Sequence, residues 1–399
     1  MQRPTQAVIL AGGRGRRLLP LTNTVPKPMI KFHGKPFLEY IINNLREQGI
    51  SKILLLVGYL PEIIKNYFGN GDRFGVHIDY SITDENNDTG RRIKLAESQI
   101  DEYFMLLYCD NYWPLRFEDM LEHYKRINVE GQITVYSNKD GYTKNNVRVE
   151  SGYVVQYDKS RTMPALGGVD IGYAFFNKTV LRYLPYDNIL FETTVYPKLV
   201  ENRQLAAYTT DHRYYSVSSF ERLGLTEAFL RYEPSIILDR DGVLNRKAPR
   251  ADYVKNWDEF QWLPGAKEAL ALLKQYNYHI IIVTNQAGIN RGIMTETDLT
   301  DIHEKMKKEA TEAGGDIDAI YYCPHGWDEN CDCRKPKPGM FFRAQKDFNL
   351  DLTRTIFIGD DERDKIAGRA AGCPTILVND NYPLLSVVKE KIINDKVFI

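Results

Sequence analysis

The chain of 399 residues has no excess of charge of either sign, because 52 lysines and arginines are balanced by 53 aspartates and glutamates. Proteins that bind nucleic acids or anionic membrane surfaces usually carry a basic excess, so the composition predicts neither partner. No apolar run approaches the roughly 20 residues that a transmembrane helix needs. A basic-then-apolar signal peptide is also absent before the first strand-like segment, and we therefore expect a cytoplasmic protein.

Cysteine is scarce, with five residues in the chain, and three of them cluster with a histidine as Cys323, His325, Cys331 and Cys333. In a reducing compartment such a cluster indicates a metal site rather than a disulfide. Three thiolates and one imidazole fit a closed tetrahedral Zn²⁺ site. Because that site leaves no open coordination position, we predict a structural role for the zinc.

The sequence also lacks a long Gly/Ser linker, an internal repeat and a low-complexity segment. Its length predicts two or three domains, each large enough to bury a core. Strand and helix patterns alternate, which predicts an α/β protein. We place one domain at residues 1–230 and a second at 234–399, with a short helix over 225–232 before the join.

In the second domain, the apolar run 236–238 is followed by Asp239, Asp241 and Gly242. This pattern predicts a central strand of a parallel sheet, and ligands bind at the carboxyl ends of such strands. Strand alternation turns both acids the same way, which suits Mg²⁺ and a phosphate. One carboxylate can attack phosphorus while the other handles the proton of the leaving group. On these residues alone, a strand-end turn with solvated acids is an equally good interpretation.

Three further segments carry polar residues suited to the same edge of the sheet. Thr284 ends the apolar strand 279–284, Lys335 lies in an Arg-Lys-Pro segment, and Asp360 follows an apolar strand that begins at Thr355. A threonine hydroxyl can hold a phosphoryl oxygen, a lysine stabilises negative charge, and an added acid completes an Mg²⁺ site.

Taken in order, these motifs resemble those of the haloacid-dehalogenase (HAD) phosphatases over about residues 235–380. The resemblance implies a doubly wound domain with a parallel sheet, in which Asp239 is the nucleophile that forms an aspartyl-phosphate. It implies that Asp241 acts as general acid and then base, and that Thr284 and Lys335 hold the phosphoryl group. The implied Mg²⁺ ligands are Asp239, Asp241 and Asp360.

Two acids that follow Asp360 have weaker roles in this interpretation. Asp361 is either an outer contact of the metal site or a helix-capping acid, and Asp364 is expected at the surface or in a cap.

A metal loop like 323–333 occurs in two related groups, the phosphatases of heptose 1,7-bisphosphate and of histidinol phosphate. Residues 283–292 and 331–340 are more similar to the heptose group. In that group, the residues that match Arg291 and Arg334 contact the distal phosphate.

At the N-terminal end, the strand-like segment 7–10 runs into a loop with Gly12, Gly13 and Gly15 and three arginines. Glycines after a strand allow backbone N–H groups to approach a phosphate closely. Farther along, prolines on both sides hold Lys27 on a stiff loop, which suits a fixed cation that faces an anion.

These residues resemble the sugar-1-phosphate nucleotidyltransferases over roughly the first 220 residues, which implies a Rossmann-like domain with a mixed sheet. By this resemblance the glycine loop holds a nucleoside triphosphate, Arg17 contacts its phosphates and Lys27 is a catalytic cation. Four further residues take roles from the family: Asp110 as an Mg²⁺ ligand, Gly90 in a loop on the nucleotide and sugar side, Lys159 on the sugar phosphate and Asp170 on the sugar hydroxyls.

Ser216 departs from the family pattern, because it stands where the family has a second metal-binding aspartate. A hydroxyl is a poorer Mg²⁺ ligand than a carboxylate, so we expect weaker metal binding there. Slow catalysis, recruitment of another acid, and binding of a sugar nucleotide without reaction are the alternatives.

Together the two resemblances predict a bifunctional enzyme that dephosphorylates heptose 1,7-bisphosphate and then activates heptose 1-phosphate with a nucleotide for polysaccharide synthesis. By family analogy the nucleotide is GTP, and CTP remains an alternative. Expected partners are sugar phosphates and a nucleoside triphosphate, and assembly into a homo-oligomer is left open. The rival interpretations are a regulatory N-terminal domain on an active phosphatase, a histidinol-phosphate phosphatase, and a scaffold without activity.

Overall fold

The computed structural model describes residues 3–249 and 252–394, and the chain divides into two compact units, Met1–Arg231 and Tyr232–Ile399. We call them unit 1 and unit 2. The helix expected over 225–232 in fact spans Phe220–Leu230, because Ser219 is extended and the helix begins directly after it. Within the described ranges, no helix is both long and apolar enough to cross a membrane.

Unit 1 is built on a mixed sheet whose central strands are buried on both faces. The strands of the unit are β1 (Gln6–Ala11), β2 (Lys31–Phe32), β3 (Lys35–Pro36), β4 (Lys52–Val57), β5 (His77–Ile82), β6 (Tyr103–Tyr108), β7 (Asn111–Tyr112), β8 (Gly131–Tyr136), β9 (Val147–Glu150), β10 (Tyr153–Tyr157), β11 (Val169–Asn177), β12 (Leu205–Thr210) and β13 (Tyr215–Ser216). Nine of them form the sheet in the order β5-β4-β1-β6-β11-β8-β12-β10-β9, and β2–β3 and β7–β13 form two small pairs.

Helices cover both faces of this sheet: α1 (Phe37–Glu47), α2 (Pro61–Phe68), α3 (Thr89–Leu95), α4 (Phe117–Ile127), α5 (Phe191–Glu201) and α6 (Phe220–Leu230). Alternate residues of β1 enter opposite cores, with Ile9 in one and Val8 in the other. β1 lies between β4 and β6 and is parallel to both. Chain connections diverge on the two sides of such a strand, which opens a crevice at its carboxyl end.

The strands of unit 2 are β14 (Ser235–Leu238), β15 (His279–Asn285), β16 (Ala319–Cys323), β17 (Ile356–Gly359) and β18 (Thr375–Leu377). They form a parallel sheet in the order β16-β15-β14-β17-β18. Its helices are α7 (Ala266–Gln275), α8 (Glu296–Glu312), α9 (Gly339–Phe348), α10 (Glu362–Ala371) and α11 (Leu384–Val387), and a π-helical turn follows at Val388–Asn394. Thr295 and Asp298 form a capping box at the start of α8.

β14 is the central strand of unit 2, and its apolar residues are fully buried on both faces. Ile236 and Leu238 enter one core and Ile237 enters the other. Such continuous burial is typical of parallel strands covered by helices on both sides. The carboxyl ends of β14, β15 and β17 therefore form one edge, where polar side chains collect.

Candidate active sites

In unit 2, Asp239, Thr284 and Asp360 lie together because their strands are parallel neighbours. Lys335 joins them from the loop before α9. Its backbone is tied to β15, because Asn285 accepts from the Lys335 N–H at 3.0 Å and donates to the Lys335 carbonyl at 3.0 Å. This clamp places the Lys335 Nζ 2.8 Å from Asp239 Oδ2.

Asp364 is buried, so the prediction that it lies at the surface is wrong. Its Oδ1 lies 2.7 Å from Lys335 Nζ, and its side chain is about as inaccessible as that lysine. The capping alternative is confirmed, since Asp361 and Asp364 form a capping box at the start of α10. The sequence carried a signal for the capping role, because Asp364 lies three residues after the cap residue Asp361. The burial of Asp364 could not be predicted in this way, because it depends on Lys335 from a distant loop.

The carboxylates of Asp239, Asp360 and Asp364 offer oxygen atoms that all lie within 4.8 Å of one another. The Oδ1 atom of Asp360 is buried and has no hydrogen-bond partner among the residues that the structure describes. Burial raises the pKa of Asp360, against the effect of Lys247, and burial also raises the pKa of Asp239, against the effect of Lys335. Three crowded acids and an unpartnered oxygen fit a hard divalent cation such as Mg²⁺.

The Asp241 carboxylate is not part of this group of three, although the resemblance implies Asp241 as a ligand of Mg²⁺. Nη2 of Arg240 lies 2.9 Å from each of its oxygens, and Asn245 and Gln286 donate to it at 2.9 and 2.8 Å. Burial alone would raise the pKa of Asp241, but Arg240 and these amides outweigh it and hold the pKa below its usual range. Arg240 is itself buried against His303, whose pKa burial lowers to about 3.

A cavity of about 670 Å³ opens over this site, and four cations from loops and from the start of α10 line it: Lys247, Arg334, Lys335 and Arg363. Arg334 also donates to the backbone carbonyl of His325 at 3.2 Å, which ties it to the metal loop. Arg291 does not line the cavity, but its guanidinium lies 5.9 Å from the ring centre of Tyr253, which does.

The predicted metal loop brings its four side chains together. The three sulfur atoms of Cys323, Cys331 and Cys333 are 3.2 to 3.7 Å apart, and His325 Nδ1 lies 3.6 Å from Cys323 Sγ and 3.2 Å from Cys333 Sγ. A tetrahedron of thiolates around Zn²⁺ has edges of about 3.8 Å, given a Zn–S bond of about 2.3 Å. The arrangement therefore fits one tetrahedral ion.

In unit 1, Lys27 and Asp110 form an ion pair, with Nζ 2.6 Å from Oδ2. Burial would lower the pKa of Lys27 and raise that of Asp110, but the pair reverses both effects, so that each group stays charged. They line a cavity of about 420 Å³ together with the glycine loop, Gly12, Gly13 and Gly15. Arg17 is exposed and does not line the cavity, although its charge helps to lower the pKa of Asp110.

Arg92 was not predicted, yet it holds the glycine loop in place. It is buried and donates to the backbone carbonyls of Gly12 and Val57, each at 3.1 Å. A Cβ at Gly12 would collide with its guanidinium, so this glycine is needed for close approach. Gly90 does not line the cavity; it packs against the Ile189 carbonyl, where a Cβ would also collide, and the structure therefore gives it a packing role.

A second unpredicted residue, Glu192, is buried between the predicted sugar-side residues. It pairs with Lys159 and accepts hydrogen bonds from the Tyr108 hydroxyl at 2.9 Å and the Thr89 hydroxyl at 3.1 Å. Both hydroxyl residues line the cavity. Burial raises the pKa of the nearby Asp170 to about 7, and the charge of Glu192 adds to this effect.

Ser216 is close to Asp110 along the backbone, because the N–H of Val217 donates to the Asp110 carbonyl at 3.0 Å. It pairs with Asn111 in the β7–β13 ladder, and its hydroxyl lies 2.8 Å from that of Ser218. In the part of unit 1 that the structure describes, no three acidic, cysteine or histidine side chains converge as metal ligands. Asp110 therefore stands as a single carboxylate paired with a lysine.

Comparison with known proteins identifies relatives of both units. Residues 6–215 match the family model of nucleotidyl transferases, and residues 332–382 match a HAD-hydrolase-like model. The chain is 43% identical over 143 residues to a D-glycero-beta-D-manno-heptose-1,7-bisphosphate 7-phosphatase of Bordetella bronchiseptica. This match covers 36% of this chain and 79% of that protein. The phosphatase of the same name from Neisseria meningitidis serogroup B is 45% identical over 145 residues, with 36% and 75% coverage.

Among solved structures, one from Bacillus anthracis that carries the name of a glucose-1-phosphate thymidylyltransferase aligns with 57% of this chain and 95% of its own. Its TM-score is 0.52 at 17% identity, so it supports the fold alone. These matches and the two sheets confirm the predicted α/β fold class and both family resemblances. The chain thus belongs to the nucleotidyl transferase family in its N-terminal part and, in its C-terminal part, to the HAD-like hydrolases that include these phosphatases.

Proposed function

We propose that the two units catalyse consecutive reactions on one sugar. Unit 2 would hydrolyse the 7-phosphate of heptose 1,7-bisphosphate, and unit 1 would transfer a nucleotidyl group to the resulting heptose 1-phosphate. The observation that carries this proposal is the presence, in one chain, of a relative of heptose-bisphosphate phosphatases and a nucleotidyl transferase. The product of the first reaction is a sugar 1-phosphate, the class of substrate that the second unit's resemblance implies.

In the phosphatase reaction, an Asp239 oxygen attacks phosphorus and the bond from phosphorus to the sugar oxygen breaks. Asp241 gives a proton to that oxygen and then takes one from the water that hydrolyses the aspartyl-phosphate. Asp241 is held ionised by Arg240, and the negative charge of an incoming phosphate would raise its pKa toward the acid role. Lys335 and Thr284 orient the phosphoryl oxygens.

Asp239, Asp360 and Asp364 would hold Mg²⁺, which supplies charge neutralisation on the phosphoryl oxygens when bound. We propose Asp364 here in place of the Asp241 side chain. Arg334 and Arg291 remain proposed contacts of a distal phosphate.

In the nucleotidyl transfer, an oxygen of the sugar phosphate attacks the α-phosphorus of a nucleoside triphosphate, and pyrophosphate leaves. Lys27 and Arg17 would stabilise the charge on the phosphates, and the glycine loop would supply backbone donors. Lys159 would hold the sugar phosphate and Asp170 a sugar hydroxyl. One carboxylate with phosphate oxygens can suffice for Mg²⁺, so Asp110 fits as a ligand for that ion.

We further propose that the cysteine–histidine cluster binds one structural Zn²⁺ that braces the Lys335 loop. The base of the nucleotide is proposed to be guanine by family analogy, with cytosine as the alternative. Ser216 favours a second candidate function for unit 1, in which it binds a sugar nucleotide without reaction. The charged Lys27–Asp110 pair beside the glycine loop supports catalysis instead.

The test is a pyrophosphate-release assay with heptose 1-phosphate, Mg²⁺ and each of the four nucleoside triphosphates in turn. Release is expected with one triphosphate. The assay uses the Asp239→Asn variant beside the wild type, because that variant should lose phosphatase turnover and so remove hydrolysis of the sugar phosphate as a background.

Lys27→Met is the reciprocal control, and it should lose pyrophosphate release while it still dephosphorylates heptose 1,7-bisphosphate. No pyrophosphate release with any of the four triphosphates, in a preparation with active phosphatase, would mean that unit 1 binds a sugar nucleotide without reaction. Loss of both activities in Asp239→Asn would contradict two independent sites.

A further inference from the structure

Lys247 lies where it neutralises the third acid of the proposed Mg²⁺ site. Its Nζ is 2.5 Å from Asp360 Oδ2 and 3.9 Å from Asp361 Oδ2. Lys335 already contacts the other two acids, Asp239 and Asp364. Lys247 is therefore the cation that balances Asp360 in the protein without metal.

The two side chains of this pair differ in how freely they can move. The Asp360 side chain is 14% exposed, and its carboxylate lies so close to Gly242 that a Cβ there would collide with it. The Lys247 side chain is 42% exposed on a flexible four-carbon stem. If a second cation comes to Asp360, the group that yields is the lysine.

The surroundings leave room for such a movement. Lys247 lines the 670 Å³ cavity and also a second cavity of about 620 Å³ on the side of Gly242 and Leu263. Mg²⁺ on the unpartnered Oδ1 of Asp360 would share this carboxylate with the ammonium group on Oδ2, and two cations on one carboxylate repel each other.

We propose that Lys247 is an internal counter-ion that occupies Asp360 in the metal-free enzyme and is displaced when Mg²⁺ binds. This inference rests on the proposed function in one respect, the identity of the Mg²⁺ site. It makes metal binding an exchange of cations, so that Lys247 lowers the affinity for Mg²⁺ and stabilises the acids when no metal is present.

Isothermal titration calorimetry with Mg²⁺ at fixed ionic strength tests the exchange directly, without any substrate. Lys247→Met should bind Mg²⁺ about tenfold more tightly than the wild type, because no cation has to leave. Lys247→Arg keeps the charge and should stay close to the wild type. Asp360→Asn should abolish the heat of Mg²⁺ binding, which would assign that heat to this site.

Lys274→Met is the matched control, because Lys274 pairs with Asp316 at 2.8 Å, is similarly exposed and lies outside the site. Its Mg²⁺ affinity should equal that of the wild type. Thermal melting gives a second readout. Without metal, Lys247→Met should melt at a lower temperature than the wild type, since Asp360 loses its counter-ion. Mg²⁺ should raise the melting temperature of Lys247→Met by more than it raises that of the wild type.

Equal Mg²⁺ affinity in the wild type and Lys247→Met would overturn the inference and leave the proposed metal site intact. Absence of binding in both proteins would overturn the metal site itself, and the inference with it. Binding in Lys247→Met alone would support the exchange in its strongest form.

Discussion

At the scale of single residues, buried charged groups in this protein act by holding other groups in position. Glu192 is 5% exposed and accepts from Lys159, Tyr108 and Thr89. A buried carboxylate with three donors is well satisfied, and its removal leaves those donors without a charged partner. Glu192 is thus a positioning residue that fixes Lys159, the proposed contact of the sugar phosphate.

We predict that Glu192→Gln raises the KM for heptose 1-phosphate about tenfold and leaves the KM for the nucleoside triphosphate unchanged. The reason is that a charge-assisted hydrogen bond is worth about 1.5–3 kcal/mol and orients Lys159 before the sugar binds. Steady-state kinetics of pyrophosphate release measures both constants. Glu201→Gln is the control, because Glu201 ends the same helix and pairs with Lys198 outside the site. Equal changes in both constants would indicate a general structural role instead.

At the scale of elements, the loop 323–338 links the metal cluster to the phosphatase site. Cys323 ends β16, Arg334 donates to the His325 carbonyl, and Lys335 is clamped by Asn285. A closed cluster of three thiolates and one imidazole can supply folding energy to a loop that has no regular structure of its own. The position of Lys335 then depends on ligands that never touch the substrate.

We predict that one zinc ion co-purifies per chain and that Cys331→Ala loses it. Phosphatase turnover should fall at least tenfold in this variant, because Lys335 is no longer held beside Asp239. Elemental analysis measures the zinc, and circular dichroism should show unchanged helix content. Cys373→Ala, which alters a buried cysteine outside the cluster, should keep its zinc. Absence of zinc from the freshly purified wild-type protein would contradict the assignment of a zinc site.

At the scale of the whole molecule, each unit has its own sheet and its own pair of cores. The clusters around Ile9 and Val8 belong to unit 1, and those around Ile236 and Ile237 belong to unit 2. A unit with a complete core is expected to fold alone. The two candidate sites are likewise each built from residues of one unit.

We predict that residues 1–231 and 232–399, produced as separate proteins, each fold and keep one activity. The first should release pyrophosphate and the second should dephosphorylate the bisphosphate, with rates within about threefold of those of the full chain. Scanning calorimetry should show one cooperative transition for each fragment. An insoluble or inactive fragment would mean that its unit depends on the other for folding.

Local sequence determined the strands and the chemistry that follows them. The apolar run before Asp239, the glycines after β1 and the spacing of the cysteines are short-range patterns, and the geometry of strands and turns suffices to interpret them. The fold class could be predicted for the same reason, since alternating strands and helices have few ways to pack.

Tertiary structure alone decided which charged groups meet. Arg92 reaches the carbonyl of Gly12 across 80 positions of the chain, Lys335 reaches Asp364, and Lys247 reaches Asp360. No periodicity marks such pairs, because they depend on how distant loops converge at one edge of a sheet. Burial makes the contacts of Arg92 and Lys335 specific, since a charge removed from water needs a partner that only the folded chain can bring.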